Sequence, residues 1–125
     1  MTDARRLRIE RRDMTTPSSL ETGPAPAEAM KERLLKSLRD GDYAAFSAVG
    51  TERFQEGITR AIFQRVSDQV AARLKAGFST EFLTELHQCE HGVYLWKLSF
   101  RDGQSEFIAR LALTTDGKAA GFMLN

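Results

Sequence analysis

The chain has 125 residues, of which 42% are hydrophobic and 28% charged, with a formal net charge of +1; this is the size and make-up of one globular domain with one core. Five of the 18 Lys and Arg residues fall within Met1–Asp13 and the remainder is close to neutral, so there is no basic stripe for a phosphate backbone, and no apolar run approaches the roughly 18 residues of a membrane span. Neither nucleic acid nor a membrane is expected as a partner, and a lone Cys89 with no apolar signal core after the Arg cluster makes a cytoplasmic address the expectation.

Residues 1–25 carry Arg5, Arg6, Arg8, Arg11 and Arg12, few large apolar side chains, and then Pro17, Ser18, Ser19, Gly23 and Pro24. That composition reads as a flexible basic linker, leaving residues 26–125 as the single domain. From Pro26 the pattern turns helical: Ala27, Met30, Leu34 and Leu38 recur at three- and four-residue spacing and Gly41 supplies a stop. Asp42 caps a short helix with Tyr43, Phe46 and Val49, and Thr51 caps another with Phe54. A long helix is predicted over 58–75, with Ile58, Ile62, Val66, Val70 and Leu74 as its apolar stripe, Phe63 beside it and Gly77 closing it.

The last third alternates apolar and polar residues between Asp102-Gly103 and Asp116-Gly117, dipeptides that favour tight turns, so it reads as an antiparallel meander. Counting out from those turns pairs Trp96 with Ala109, Leu98 with Phe107, Leu111 with Phe122 and Leu113 with Ala120. One face then carries Tyr94, Trp96, Leu98, Phe100, Ser105, Phe107, Ala109, Leu111, Leu113, Ala120, Phe122 and Leu124. A preceding strand, residues 78–89, has two readings. A two-residue His91-Gly92 turn sends Leu83, Glu85, His87 and Cys89 to the apolar face; a three-residue turn with a left-handed Gly92 sends Phe82, Thr84, Leu86 and Gln88 there. The second is preferred because it keeps Glu85 out of a core.

The predicted fold is α+β: N-terminal helices packed on a four-stranded antiparallel meander. In this order of elements, and in the stretches Leu38–Phe46 and Asp116–Phe122, the chain resembles the nuclear transport factor 2-like (cystatin-like) superfamily, and its small bacterial members of unknown function in particular. The resemblance implies a cone with a curved sheet. It leaves activity open, because that superfold hosts isomerases, dehydratases, transport factors and binding modules.

Sites are sparse in the sequence. Glu85, His87, Cys89, Glu90 and His91 are metal-ligand types close together, but a metal needs three or four converging ligands and nothing elsewhere completes the set, so no metal or cofactor is expected. The inward sheet positions hold no carboxylate and no imidazole; a general acid or base would have to come from a helix, with Glu56 or Asp68 as candidates. The expected function is therefore a non-catalytic domain that binds an apolar small molecule or acts as an interaction module, with Tyr94, Trp96 and Gln88 orienting a ligand against Ile62, Phe63, Val66 and Val70. The alternative is an isomerase- or dehydratase-like enzyme. The other sheet face mixes Val93, Leu95, Ile108, Ala112, Ala119 and Met123 with Lys97, Glu106 and Arg110, too apolar for open water. It predicts a homodimer through Val93, Leu95, Ile108, Arg110 and Met123.

Overall fold

The computed structural model describes residues 22–88 and 90–125, so the predicted linker lies outside the described residues as far as residue 21. Among the described residues four helices precede a four-stranded antiparallel sheet, which is α+β as expected: α1 Ala25–Asp40, α2 Tyr43–Ala48, α3 Glu52–Gly57, α4 Arg60–Ala76, then β1 Phe78–Gln88, β2 His91–Phe100, β3 Phe107–Leu113 and β4 Ala119–Leu124. The strands lie in the order β1-β2-β3-β4, making β1 and β4 the edges.

Local chemistry sets each helix end. Pro26 occupies the first turn of α1, and Gly41, at φ 69°, ends it in the left-handed conformation that costs glycine nothing. Asp42 accepts from Ala45 N–H at 3.1 Å, Thr51 from Phe54 N–H at 3.1 Å and Thr59 from Ile62 N–H at 3.3 Å, capping α2, α3 and α4 in turn. The long helix thus starts two residues later than Ile58. Between α2 and α3 the rings of Phe46 and Phe54 stack at 5.3 Å, and a Cβ on Gly50 would meet the Phe54 ring at 2.0 Å, so only glycine fits under that stack.

The core forms where the helices cover one face of the sheet. Leu34, Leu35 and Leu38 of α1 and Phe63, Val70 and Leu74 of α4 pack on Trp96, Leu98, Phe100, Ala109, Leu111 and Leu113. The stripe of α4 is rotated from the predicted one: Phe63, Ser67, Val70 and Leu74 are buried, whereas Val66 lies at the margin and Ile62 is 40% exposed. The Ser67 hydroxyl explains its place in the core by donating to Leu38 O at 2.8 Å.

The sheet register is as predicted at Trp96–Ala109, Leu98–Phe107 and Leu111–Phe122. It fails at two places. The ladder slips between Ala112 and Leu113, so that Leu113 pairs with Ala119; Ala119 is fully buried and takes the inward place assigned to Ala120. The larger correction is in β1. Phe82 pairs with Trp96 but Thr84 with Leu95, so Leu83 is an extra residue, a bulge. Because opposite residues share a face, Thr80 and Phe82 point inward, but beyond the bulge Glu85 lies opposite Tyr94 on the inner side while Thr84 and Leu86 lie with Leu95 and Val93 on the outer side. Neither sequence reading holds throughout: the preferred one is right before Leu83 and wrong after it. Nor is the turn a three-residue one. Gln88 pairs with His91, leaving two residues between them, and Gly92 is not among the positive-φ glycines.

Candidate functional site

The residues predicted to form one ligand site are distributed over four places. Trp96 is fully buried, and its indole N–H donates to Glu28 Oε2 at 2.8 Å. Val70 is core. Gln88 is on the outer face, accepting from Arg110 at 2.8 Å. Tyr94 borders a cleft at the end of the sheet. Only Ile62, Phe63 and Val66 meet around one cavity, and their partners there come from β4 rather than from β2.

Around Trp96 the structure has a polar centre that the sequence reading missed. Lys31, 1% exposed, donates to Glu28 at 2.7 Å and to the Thr80 hydroxyl at 2.6 Å, pairs with Glu32 at 3.2 Å and stands 5.3 Å above the Trp96 ring. Glu28 also accepts from Gly23 N–H. Burial pushes the Glu28 carboxyl upward, but the Gly23 amide, the Lys31 ammonium and the Trp96 indole together outweigh it and hold the group below its usual range. The inward helical carboxylate is thus Glu28, not Glu56 or Asp68, both of which are exposed. Periodicity held the signal, since Lys31 stands four residues from both Ala27 and Leu35 on the buried stripe of α1. Both Glu28 oxygens, the Lys31 ammonium and the Trp96 indole are engaged with partners, so the centre joins α1 to the sheet.

At the β1–β2 end, an open cleft of about 600 Å³ is bordered by Pro26, His87, His91, Tyr94, Leu113 and the turn from Thr114 to Gly117. The Glu85 carboxylate adjoins the Tyr94 hydroxyl; burial, and then that charge, raise the phenol above its ordinary value, so Tyr94 keeps its proton. Of the predicted ligand types, Glu85 and His87 are exposed and Cys89 lies outside the described residues. Among the described residues no three His, Cys, Asp or Glu side chains converge as metal ligands would.

The third place is an apolar groove of about 290 Å³ between α4 and the edge strand β4. Leu38, Phe46 and Phe63, all nearly fully buried, make its floor. Ile58, Ile62 and Val66 form one wall, and Phe122, Met123 and Leu124 the other. Ile62 and Met123 stand at the rim, 40% and 49% exposed. Close by, the Tyr43 hydroxyl is satisfied, donating to Ile58 O at 2.7 Å. No charged side chain lines the groove.

The outer sheet face carries a row across all four strands, Leu86, Val93, Ala112 and Gly121, with Leu95, Arg110 and Met123 in the next row. Val93 is only 1% exposed, although it is separate from the core cluster beneath the helices. Leu86 and Ile108 remain exposed beside it. Among the described residues no helix is long and apolar enough to cross a membrane. Comparison with known proteins adds no family to this geometry: no family model matches the chain, and no curated protein matches it significantly.

Proposed function

We propose that this chain is a non-catalytic binding domain that takes an uncharged apolar group into the groove between α4 and β4. One observation carries the reading: nine apolar residues line that groove, with a buried floor, an exposed rim and no titratable side chain. Such a surface gains affinity by removing apolar area from water and has nothing with which to move a proton. The interior between helices and sheet is filled by Trp96, Leu98, Leu111 and Leu34, which takes it out of consideration as a pocket. Titration with a small neutral fluorophore such as N-phenyl-1-naphthylamine tests the reading. Saturable binding is expected, abolished by Ile62→Glu and unchanged by Tyr94→Phe; equal binding by the Ile62 variant sinks it.

The cone shape and the nuclear transport factor 2-like resemblance belong to the same proposal, supported by the order of helices before a meander. So does a homodimer through the outer face. Leu86, Leu95, Ile108 and Met123 supply its apolar surface, and Val93, already buried, adds packing beneath it. Light scattering should give a dimer that Ile108→Lys converts to a folded monomer. A second reading, acid–base chemistry of the isomerase or dehydratase kind, rests on Tyr94 and His87 bordering the open cleft, with Glu85 opposite Tyr94 on the neighbouring strand. Turnover of an enolisable carbonyl compound, lost in Glu85→Gln, would favour it over the groove.

A further inference from the structure

The edge strand β4 presents backbone groups along the groove. Ile108 and Asn125 exchange two hydrogen bonds, of 2.8 and 3.0 Å, and in an antiparallel ladder such pairs alternate with pairs whose N–H and C=O groups point away from the partner strand. Arg110–Met123 and Ala112–Gly121 therefore follow Ile108–Asn125 as bonded pairs, which turns the backbone groups of Phe122 and Leu124 to the edge of the sheet. Among the described residues nothing bonds them there. The same edge already receives main chain one step earlier: Ala119 N–H donates to Val49 O at 3.0 Å and Thr51 N–H to Ala119 O at 2.9 Å, after which the chain turns away into α3. Ala119–Leu124 holds neither a charge nor a proline, two of the usual means by which a sheet edge is kept from taking a further strand.

Phe122 and Leu124 also wall the groove, their side chains packed against the core. Because side chains alternate along a strand, the residues of an added strand that stand directly opposite these two share their face and reach the groove, while the residue between them stands beside Met123 on the outer face. The groove and the edge together therefore fit an extended chain with two apolar side chains two positions apart, about 7 Å, and backbone amides to meet those of Phe122 and Leu124. An apolar small molecule offers the first of these features and not the second. A second copy of β4 offers the backbone without the side chains, since its own Phe122 and Leu124 are committed to its own core. No charged side chain lines the groove, so the spacing of the apolar pair, and not charge, sets what enters.

The geometry points to an extended peptide segment of a partner protein as the ligand of this groove, added to the β4 edge as a fifth strand and recognised by two apolar residues with one residue of any kind between them. This rests on the groove being the binding site, and deepens that reading by naming the class of its ligand. The test uses the full chain and a set of acetylated, amidated seven-residue peptides with valine, leucine or phenylalanine at the third and fifth positions and serine or threonine elsewhere. At least one should displace N-phenyl-1-naphthylamine and slow amide exchange at Phe122 and Leu124 by at least about tenfold. Moving its two apolar residues to adjacent positions should weaken binding by at least about tenfold, and so should Ile62→Glu in the protein. Methyl groups on one alternate set of its backbone amides should abolish binding and those on the other set should spare it, since only one set faces β4. Displacement of the fluorophore with exchange at Phe122 and Leu124 unchanged overturns the inference, because side chains alone then fill the groove. Fluorophore binding with which no peptide competes also overturns it, and leaves the groove reading standing. Protection of both amides that grows with protein concentration in the absence of peptide overturns it in favour of a second copy. Peptide that protects both amides where the fluorophore fails to bind upholds the inference and defeats only the small-molecule form of the groove reading.

Discussion

The two ends of α1 meet the sheet in opposite ways. At its start, Glu28 and Lys31 reach Trp96 and Thr80, and each charge placed out of water finds a partner there. At its end, Leu38 forms part of the floor of a groove with only apolar walls. A polar buried centre is stable only when closed, since one missing partner leaves an uncompensated group; an apolar groove tolerates being open and gains when filled. The closed end therefore reads as architecture and the open end as recognition.

Three substitutions probe that contrast. The largest effect should come from Trp96→Ala, which removes a fully buried ring, opens a cavity and deprives Glu28 of a donor; a loss of about 3–5 kcal/mol is expected in denaturant unfolding. A loss under about 1 kcal/mol would mean that the closed end is not closed. Glu28→Gln should cost about 1–2 kcal/mol near neutral pH and carry a pH signature. The folded carboxyl lies below its ordinary value, so its stabilisation is complete above the unfolded value of about 4.3 and is lost as pH falls from there through the folded value. Between the unmutated protein and the variant, the stability difference should hold from neutrality to about pH 5 and shrink below about pH 4; a difference that stays constant into acid would remove the charge from the account. The smallest effect on stability should come from Ile62→Glu, within about 0.5 kcal/mol because the side chain sits at a rim. Its effect on fluorophore binding should nonetheless be the largest of the three, and the reverse ranking would erase the distinction between the two ends.

Much of this was legible from residue patterns. Alternation across β2, β3 and β4 specifies the pairing of Trp96 with Ala109 because a slip of one would expose the whole apolar set. The caps at Asp42 and Thr51 follow from side-chain chemistry alone, whereas Thr59, which the sequence reading placed inside the long helix, is its cap. The bulge in β1 was not legible, since Phe82 and Leu86 are four residues apart and an unbroken strand would put both on one face. Their packing, Phe82 5.9 Å from the Trp96 ring and Leu86 opposite Val93, requires opposite faces, and that requirement lies in β2. Lys31 was hidden differently, its position in the buried stripe being readable while its charge argued for solvent, until Glu28 and Thr80 supplied the compensation. The site was least legible: Ile62 and Val66 pointed to an apolar cavity, but its other wall depended on which strand ends the sheet.

The extra residue at Leu83 gives β1 two reading frames. Upstream of it the strand is written for the helices, downstream for the reverse of the sheet, and a single codon separates the two. Deleting Leu83 would remove the bulge and leave every facing as it is: Phe82 would stay opposite Trp96, Thr84 opposite Leu95 and Glu85 opposite Tyr94, in unbroken alternation. The contents of the two surfaces would change places only if Leu83 were kept and drawn into the ladder opposite Leu95, which would turn Thr84 and Leu86 inward and Glu85 and His87 outward.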